Sequence, residues 1–257
     1  MPKLNIITYN VNGIRSALGK GFAEWLQTTK PDIVCLQEIK ANPDQFDTTI
    51  FDQLGYHHYW NPAQKKGYSG VAILAKVKPL HVEMGCGNDT YDQEGRVIRA
   101  DFEGFSLVNT YFPSGSSGET RQDVKMKFLA DYLDYINGIQ KKYPKLLVAG
   151  DYNICHQPID IHDPVSNKNS SGFLPEEREW MTTFFNQGFI DTFRFFNKEP
   201  HQYSWWSFRA NARNNNKGWR IDYINATKAF EKHLRAATIL PDVKHSDHCP
   251  VHLQVEL

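Results

Sequence analysis

The sequence predicts an α/β fold, one domain built on central sheets with helices outside. Three observations carry that expectation. Short apolar runs of strand length alternate with amphipathic stretches at helical spacing along the whole chain. No linker, low-complexity tract or charge block breaks this order, so residues 1–257 read as a single domain. The 257 residues, 40% hydrophobic and 13% aromatic, can bury a sizeable core, which excludes a disordered chain.

Each element has its own signal. Leu4–Tyr9 (LNIITY) is a β-branched apolar run, turned by Asn10-Val11-Asn12-Gly13. Phe22, Trp25 and Leu26 recur at helical spacing, and Asp32–Gln37 (DIVCLQ) returns as a buried strand ending at Glu38. Gly70–Ala75, Val97–Phe102 and Phe105–Phe112 read as further strands. Asp123–Lys142 is the longest amphipathic helix, with Phe128, Leu129, Leu133 and Ile136 on one face. Leu146–Ala149 is a buried strand running into Gly150-Asp151-Tyr152-Asn153. Pro175–Phe185 opens as a helix should, with Pro and two Glu. Arg220–Asn225 and Val251–Val255 are late strands. Leu4–Asn12 and Leu146–Asn153 share a shape: apolar strand, polar residue, spacer, Asn. That hints at an internal duplication placing two polar clusters at equivalent strand ends.

Composition excludes several classes. No apolar stretch approaches the roughly 20 residues of a membrane-spanning helix. Met1–Asn10 lacks a charged region followed by an apolar one, so no signal peptide is expected and the location expected is cytoplasmic. Cys35, Cys86, Cys155 and Cys249 lie far apart without a C-x-x-C pair, which gives structural zinc no ligand pattern. With 29 basic and 29 acidic residues the chain has no global pull on polyanions, so such binding must come from local clusters.

Seven polar residues stand at the ends of apolar strands: Asn10, Asn12, Glu38, Tyr111, Asp151, Asn153 and Asp222. Strand ends can aim side chains rigidly into one crevice. Taken singly, Asn10 and Asn12 read as turn formers, Tyr111 as a core edge and Asp222 as a cap. Seven spread over the chain point to a site, with Asp247 and His248 close after Asp222 in sequence. Carboxylate and amide oxygens without thiolates suit a hard divalent ion, Mg²⁺ or Mn²⁺. A His beside an Asp can stay protonated against developing negative charge, and a carboxylate can orient water. Together these spell metal-assisted hydrolysis of a phosphate ester.

Ordered blocks then make the resemblance specific. They are Tyr9-Asn10-Val11-Asn12-Gly13-Ile14-Arg15, Leu36-Gln37-Glu38-Ile39-Lys40, Gly67-Tyr68-Ser69-Gly70-Val71 and Asn109-Thr110-Tyr111-Phe112-Pro113. Gly150-Asp151-Tyr152-Asn153, Gly172-Phe173-Leu174-Pro175-Glu176-Glu177-Arg178, Gly218-Trp219-Arg220-Ile221-Asp222-Tyr223 and Ser246-Asp247-His248-Cys249-Pro250 continue the series. From about residue 4 to the carboxyl end, the chain resembles the exonuclease III-type apurinic/apyrimidinic (AP) endonucleases of the endonuclease/exonuclease/phosphatase superfamily. The resemblance implies a four-layered α/β sandwich, two mostly antiparallel sheets flanked by helices, with the site at one end. It implies Glu38 as the main Mg²⁺ ligand, with Asn10, Asn12 and Asp247 near the ion or its waters and Asp151 and Asn153 beside them. Asp151 would orient the attacking water, Asn153 contact the phosphate, and His248, oriented by Asp222, stabilise the phosphoryl oxygen. Tyr111 would donate to phosphate or act as a phenolate. The chain departs from the pattern at Ser114, where relatives often carry Asn or Gln, and at Asn12, where some carry Asp.

The stretch Tyr203–Arg220 carries Arg209, Arg213, Lys217 and Arg220, no acid, and interleaved Trp205, Trp206, Phe208 and Trp219. Guanidinium against phosphate plus flat aromatic faces suits a distorted strand. The resemblance implies that Trp205, Trp219 and Ile221 line a pocket for a flipped-out, baseless sugar. Arg15, Lys20, Lys65, Lys66, Tyr68, Arg96 and Arg121 lie in expected loops where they could follow the DNA backbone. The expected activity is Mg²⁺-dependent incision 5′ to an abasic site in double-stranded DNA, by a monomer. 3′-phosphodiesterase action on blocked 3′ ends and 3′–5′ exonuclease activity are expected beside it. A nonspecific DNase and a non-catalytic damage-binding module are the rival readings.

Overall fold

The computed structural model of the chain describes residues 3–257; Met1 and Pro2, the head of the stretch read for a signal peptide, lie outside them. In chain order the first half runs β1 (Lys3–Asn10), α1 (Ile14–Leu18), α2 (Phe22–Thr29), β2 (Ile33–Gln37), α3 (Thr49–Gln53), β3 (His57–Asn61) and β4 (Val71–Ala75). Then come β5 (His81–Met84), α4 (Asp89–Asp92), β6 (Val97–Phe102), β7 (Phe105–Tyr111), α5 (Glu119–Lys142) and β8 (Leu146–Asp151). The rest comprises α6 (Pro175–Asn186), β9 (Phe189–Asp191), α7 (Thr192–Phe196), β10 (Trp205–Trp206), β11 (Gly218–Trp219), β12 (Asp222–Thr227), β13 (Leu234–Ile239) and β14 (Val251–Glu256). Among the described residues, no helix is long and apolar enough to cross a membrane.

Two six-stranded sheets form, in the orders β13-β14-β1-β2-β4-β3 and β5-β6-β7-β8-β12-β9. Each is antiparallel except for one central parallel pair, β1 with β2 and β7 with β8. Alternation along the strands builds the layers. Ile6, Ile33, Cys35, Leu107, Leu147 and Ala149 face inward and join in the core between the sheets. Their neighbours face outward: Ile7, Val34 and Leu36 meet Phe22 and Leu26 of α2 and Phe51 of α3. On the other side Val108 and Val148 meet Phe128, Leu129 and Tyr132 of α5 and Trp180 and Phe184 of α6. The expected helix–sheet–sheet–helix sandwich follows directly from that two-sided burial.

The suspected duplication has a structural counterpart. Strand β1 lies between parallel β2 and antiparallel β14, and β8 between parallel β7 and antiparallel β12. The close approach of β7 and β8 needs Gly150 (φ 151°), because a Cβ there would overlap the Thr110 carbonyl. Several expected boundaries move: α5 starts at Glu119, and the strand expected at Arg220–Asn225 spans Asp222–Thr227.

Candidate active site

The inward-facing register that puts Ile6, Cys35 and Leu147 in the core also places Asn10, Gln37, Tyr111 and Asp151 at one end of the sheets. Asp222 joins them because it pairs in register with Asp151 at the start of antiparallel β12. Asn10 bridges the two halves, its Nδ2 donating to Glu38 Oε1 and to Asp151 Oδ2, each at 2.8 Å. Beyond each strand end the backbone turns left-handed, at Asn12 (φ 45°), Glu38 (φ 50°) and Asn153 (φ 52°). Asn tolerates that conformation; for Glu38 it costs roughly 1–3 kcal/mol, held by the surrounding network. The two Asn turns are closed alike, Asn12 N–H to Asn10 Oδ1 at 2.9 Å and Asn153 N–H to Asp151 Oδ1 at 2.8 Å.

Opposite these carboxylates stands His248. Its Nδ1 lies 2.9 Å from Asp222 Oδ2, and its Nε2 lies 3.9 Å from Asp151 Oδ2. Burial alone would push the imidazole down, but Asp222, then Asp151 and Asp247, hold it well above its usual range, as an imidazolium at neutral pH. Burial, with the charges of Asp222 and Glu38, pushes Asp151 up, against the pull of His248 and Asn10. Glu38 is lowered: burial would raise it, and the Lys40 ammonium at 2.7 Å outweighs that. Burial and then the charges of Glu38 and Asp151 push the Tyr111 phenol well above its ordinary range.

Donor atoms of Glu38, Asp151 and His248 lie within 4.8 Å of one another. Two carboxylates, Asp151 buried and Glu38 partly exposed, fit a hard divalent cation without a thiolate, whereas an imidazolium cannot coordinate one. The two amides expected near the ion or its waters lie directly beside carboxylates of the site. Asn10 turns its nitrogen to both carboxylates and its oxygen to a backbone N–H. Asn12 gives its oxygen to Lys40 and its nitrogen to Asp247. Both amide nitrogens thus hold carboxylates of the site in place. Asp247 is tied by Asn12 and by Trp205 Nε1 at 3.0 Å.

Glu38, Tyr111, Asn153, Asp247 and His248 open on a cleft of about 640 Å³. Trp205, Trp219 and Ile221 form one wall, and Ser114–Gly118 with Ser170–Gly172 line it too. The two tryptophans meet edge to face, with centroids 6.1 Å apart. A second recess of about 400 Å³ shares Tyr111, Ser114 and Ser116 and is lined by Lys65, Tyr68, Arg96 and Arg121. Tyr68 Oη accepts from Arg96 and from Arg121, both at 2.9 Å. Arg96 itself is buried, spent on Glu94, Tyr68 and the Tyr111 carbonyl, so it props tyrosines instead of meeting a phosphate.

Arg220, expected on the DNA, is 1% exposed and paired with Asp160 and Asp191. Its stretch held no acid in sequence, but the fold supplied two from elsewhere. Arg213 likewise donates to the carbonyls of Ser246, Pro241 and Val243 and stacks on buried Trp206, which anchors its loop. Arg209 and Phe208 are exposed at the loop tip, and Arg15, Lys20, Lys65 and Lys66 are also exposed. Two contributors went unassigned from sequence. Lys40, only two residues from Glu38, had a local signal. Ser204, whose Oγ donates to Asp222 Oδ2 at 2.6 Å, had none.

Comparison with known proteins matches residues 7–248 to the endonuclease/exonuclease/phosphatase family model. An exodeoxyribonuclease of Bacillus subtilis is 42% identical over 256 residues, covering 99% of this chain and 100% of that protein. Among solved structures, an AP endonuclease from Archaeoglobus fulgidus superposes with TM-score 0.90 at 30% identity, covering 99% of this chain and 100% of the other. A 3′ phosphatase from Neisseria, bound to a product DNA hairpin, gives 0.91 at 26% identity with the same coverage.

Proposed function

The chain belongs to the endonuclease/exonuclease/phosphatase family, a DNA-repair nuclease of the exonuclease III type, and from that premise we propose that it incises double-stranded DNA 5′ to abasic sites. One observation carries the reading: Glu38 and His248, which flank buried Asp151, line the same cleft as the aromatic wall. An abasic nucleotide has lost its stacking, so it leaves the duplex at lower cost than an intact one, and Trp205, Trp219 and Ile221 receive the bare sugar. Every group invoked comes from one chain, so a monomer and one catalytic domain suffice.

Glu38 and Asp151 hold a divalent cation, with Asp247 nearby; Mg²⁺ fits their hard oxygens, and Mn²⁺ would substitute. Bound there, the ion supplies Lewis-acid stabilisation of phosphate charge. Asp151 accepts a proton from the attacking water. The water oxygen bonds to phosphorus as the bond to the 3′ oxygen breaks, and that oxygen takes a proton from solvent, leaving a 3′-OH and a 5′-deoxyribose phosphate. His248 donates its Nε2 proton in a hydrogen bond to the phosphoryl oxygen, held in aim by Asp222. Tyr111 and Asn153 donate to the same phosphate, while Arg209, Arg15 and Arg121 meet neighbouring ones. Removal of 3′-blocking groups uses the same geometry, and likeness to a 3′ phosphatase supports it.

The test is incision of a duplex carrying one tetrahydrofuran abasic analogue, with Mg²⁺ and with EDTA, beside an intact duplex. The analogue cannot undergo β-elimination, so any cut is hydrolytic. We expect metal-dependent cutting 5′ to the lesion that spares the intact strand. Equal degradation of both duplexes would make this a general nuclease, and tight binding without cutting a damage reader.

A further inference from the structure

Behind the cleft, apart from every group assigned to the reaction, lies a buried ion pair. Lys125 of α5 and Glu177 of α6 are both 0% exposed, and Nζ meets Oε1 at 2.5 Å. Such a pair is a poor source of stability, because desolvation offsets the attraction. Its other contacts say what it holds. The Lys125 ammonium also donates to the main-chain carbonyl of Asn153 at 2.8 Å, on the turn that carries Asp151. Glu177 Oε2 accepts from the amides of Gly172 at 2.6 Å and Leu174 at 3.0 Å, on the loop that lines the cleft. Gln122 of α5 adds a bond to Glu177 at 3.0 Å and takes one from Ser171 at 2.7 Å.

The two gripped segments also touch. Cys155 N–H donates to the Gly172 carbonyl at 2.7 Å. A Cβ on Gly172 would meet the Asn153 carbonyl and the Trp219 ring, each at 3.0 Å, so this loop fills the gap between hydrolytic turn and aromatic wall. One segment needs a donor and the other an acceptor. A salt bridge offers one pole to each, whereas an apolar pair would leave the Asn153 carbonyl and two amides without partners.

We propose that Lys125 and Glu177 are positioning residues that set the spacing between the Asp151–Asn153 turn and the loop behind Trp219, so that a sugar seated on the wall presents its 5′ phosphate to Asp151. The proposal rests on the reading of the cleft given above. A misplacement of about 1 Å in such a site can cost about a hundredfold in rate. The experiment compares wild type, Lys125→Met and Glu177→Gln in the full chain. Steady-state incision of tetrahydrofuran and intact duplexes is measured, together with amide exchange at residues 152–155 and 170–174.

Both variants should stay folded by circular dichroism, lose roughly ten- to hundredfold in kcat, and show a smaller preference for the abasic over the intact duplex. In Glu177→Gln the Gly172 and Leu174 amides should exchange faster. Wild-type kcat, KM and preference in both variants, whatever happens to thermal stability, would reduce the pair to a structural role and overturn the proposal. Should Lys125→Met fail to fold, Glu177→Gln decides, since it keeps shape and one oxygen. Should the wild type leave abasic DNA uncut, the reading of the cleft fails, and unchanged exchange in Glu177→Gln would still overturn the pairing independently.

Discussion

His248 keeps its proton because Asp222 faces its Nδ1, and Asp222 is itself fixed by the Ser204 hydroxyl. Remove the Asp222 charge and the imidazole loses both its orientation and the main reason to stay protonated. Asp222→Asn should therefore lower single-turnover incision by about 10²–10³-fold, and His248→Gln should do the same. Because the two act as one unit, the double variant should be little worse than either single. Multiplying losses would show that they act separately. At this scale legibility depended on how near a partner lies in sequence. Glu38, Asp151, Asp222 and His248 sit in local blocks and could be picked out. A basic run in sequence looks the same at Arg209 and Arg220, yet one guanidinium is exposed and the other is enclosed by Asp160 and Asp191. Only the tertiary fold separates them.

The loop at Ser170–Gly172 and helix α6 form a unit whose backbone leaves little latitude. Gly172 holds φ at 95°, and a methyl group there would crowd both Asn153 and Trp219. Gly172→Ala should destabilise the fold by more than about 1 kcal/mol, since the left-handed strain adds to the contact. It should also weaken incision of the abasic duplex beyond what the lost stability explains; denaturant titration beside kinetics separates the two. Equal stability and activity would mean that the loop gives way freely. Among elements, the strands covered on both faces were the readable ones: β2, β4, β6, β7 and β8 are buried along their whole length. Edge strands β3 and β5 were missed, because His57–Asn61 is half-covered and lacks alternation, and His81–Met84, though it alternates, is only four residues long and mostly exposed. Strand β12 was read two residues early, because Arg220 and Ile221 continue its pattern although pairing begins at Asp222.

For the whole molecule, Asp160 ties together the segment before α6, helix α7 through Arg194 and the corner before β12 through Arg220, both at 2.8 Å. Burial would raise its carboxyl, but Arg220 and then Arg194 outweigh that and hold it below the ordinary range. The folded state thus binds this proton more weakly than the unfolded one. Its contribution to stability is complete above the unfolded value of about 3.9 and is lost progressively as pH falls from there through the lower folded value. Urea midpoints should drop between pH 7 and pH 3, and Asp160→Asn, already weaker at pH 7, should drop less. An identical drop in both proteins would exonerate this carboxylate. The four-layer architecture was legible only through resemblance; periodicity alone gave an α/β domain with central sheets. The equivalence of β1 and β8 was visible directly, because the same strand-and-Asn pattern recurs where the same neighbours flank it.

The pairing of β1 with β14 sets a timetable for synthesis. Strand β1 finds this neighbour only when Val251–Glu256 emerges, and His248 arrives just ahead of it. At about 5–20 residues per second the ribosome keeps β1 waiting for tens of seconds. Until then one flank of β1 is an open edge with unpaired backbone groups. The same order spaces out the cluster: Glu38 and Asp151 are both translated well before His248, so the three side chains come together only when the last strand is at hand.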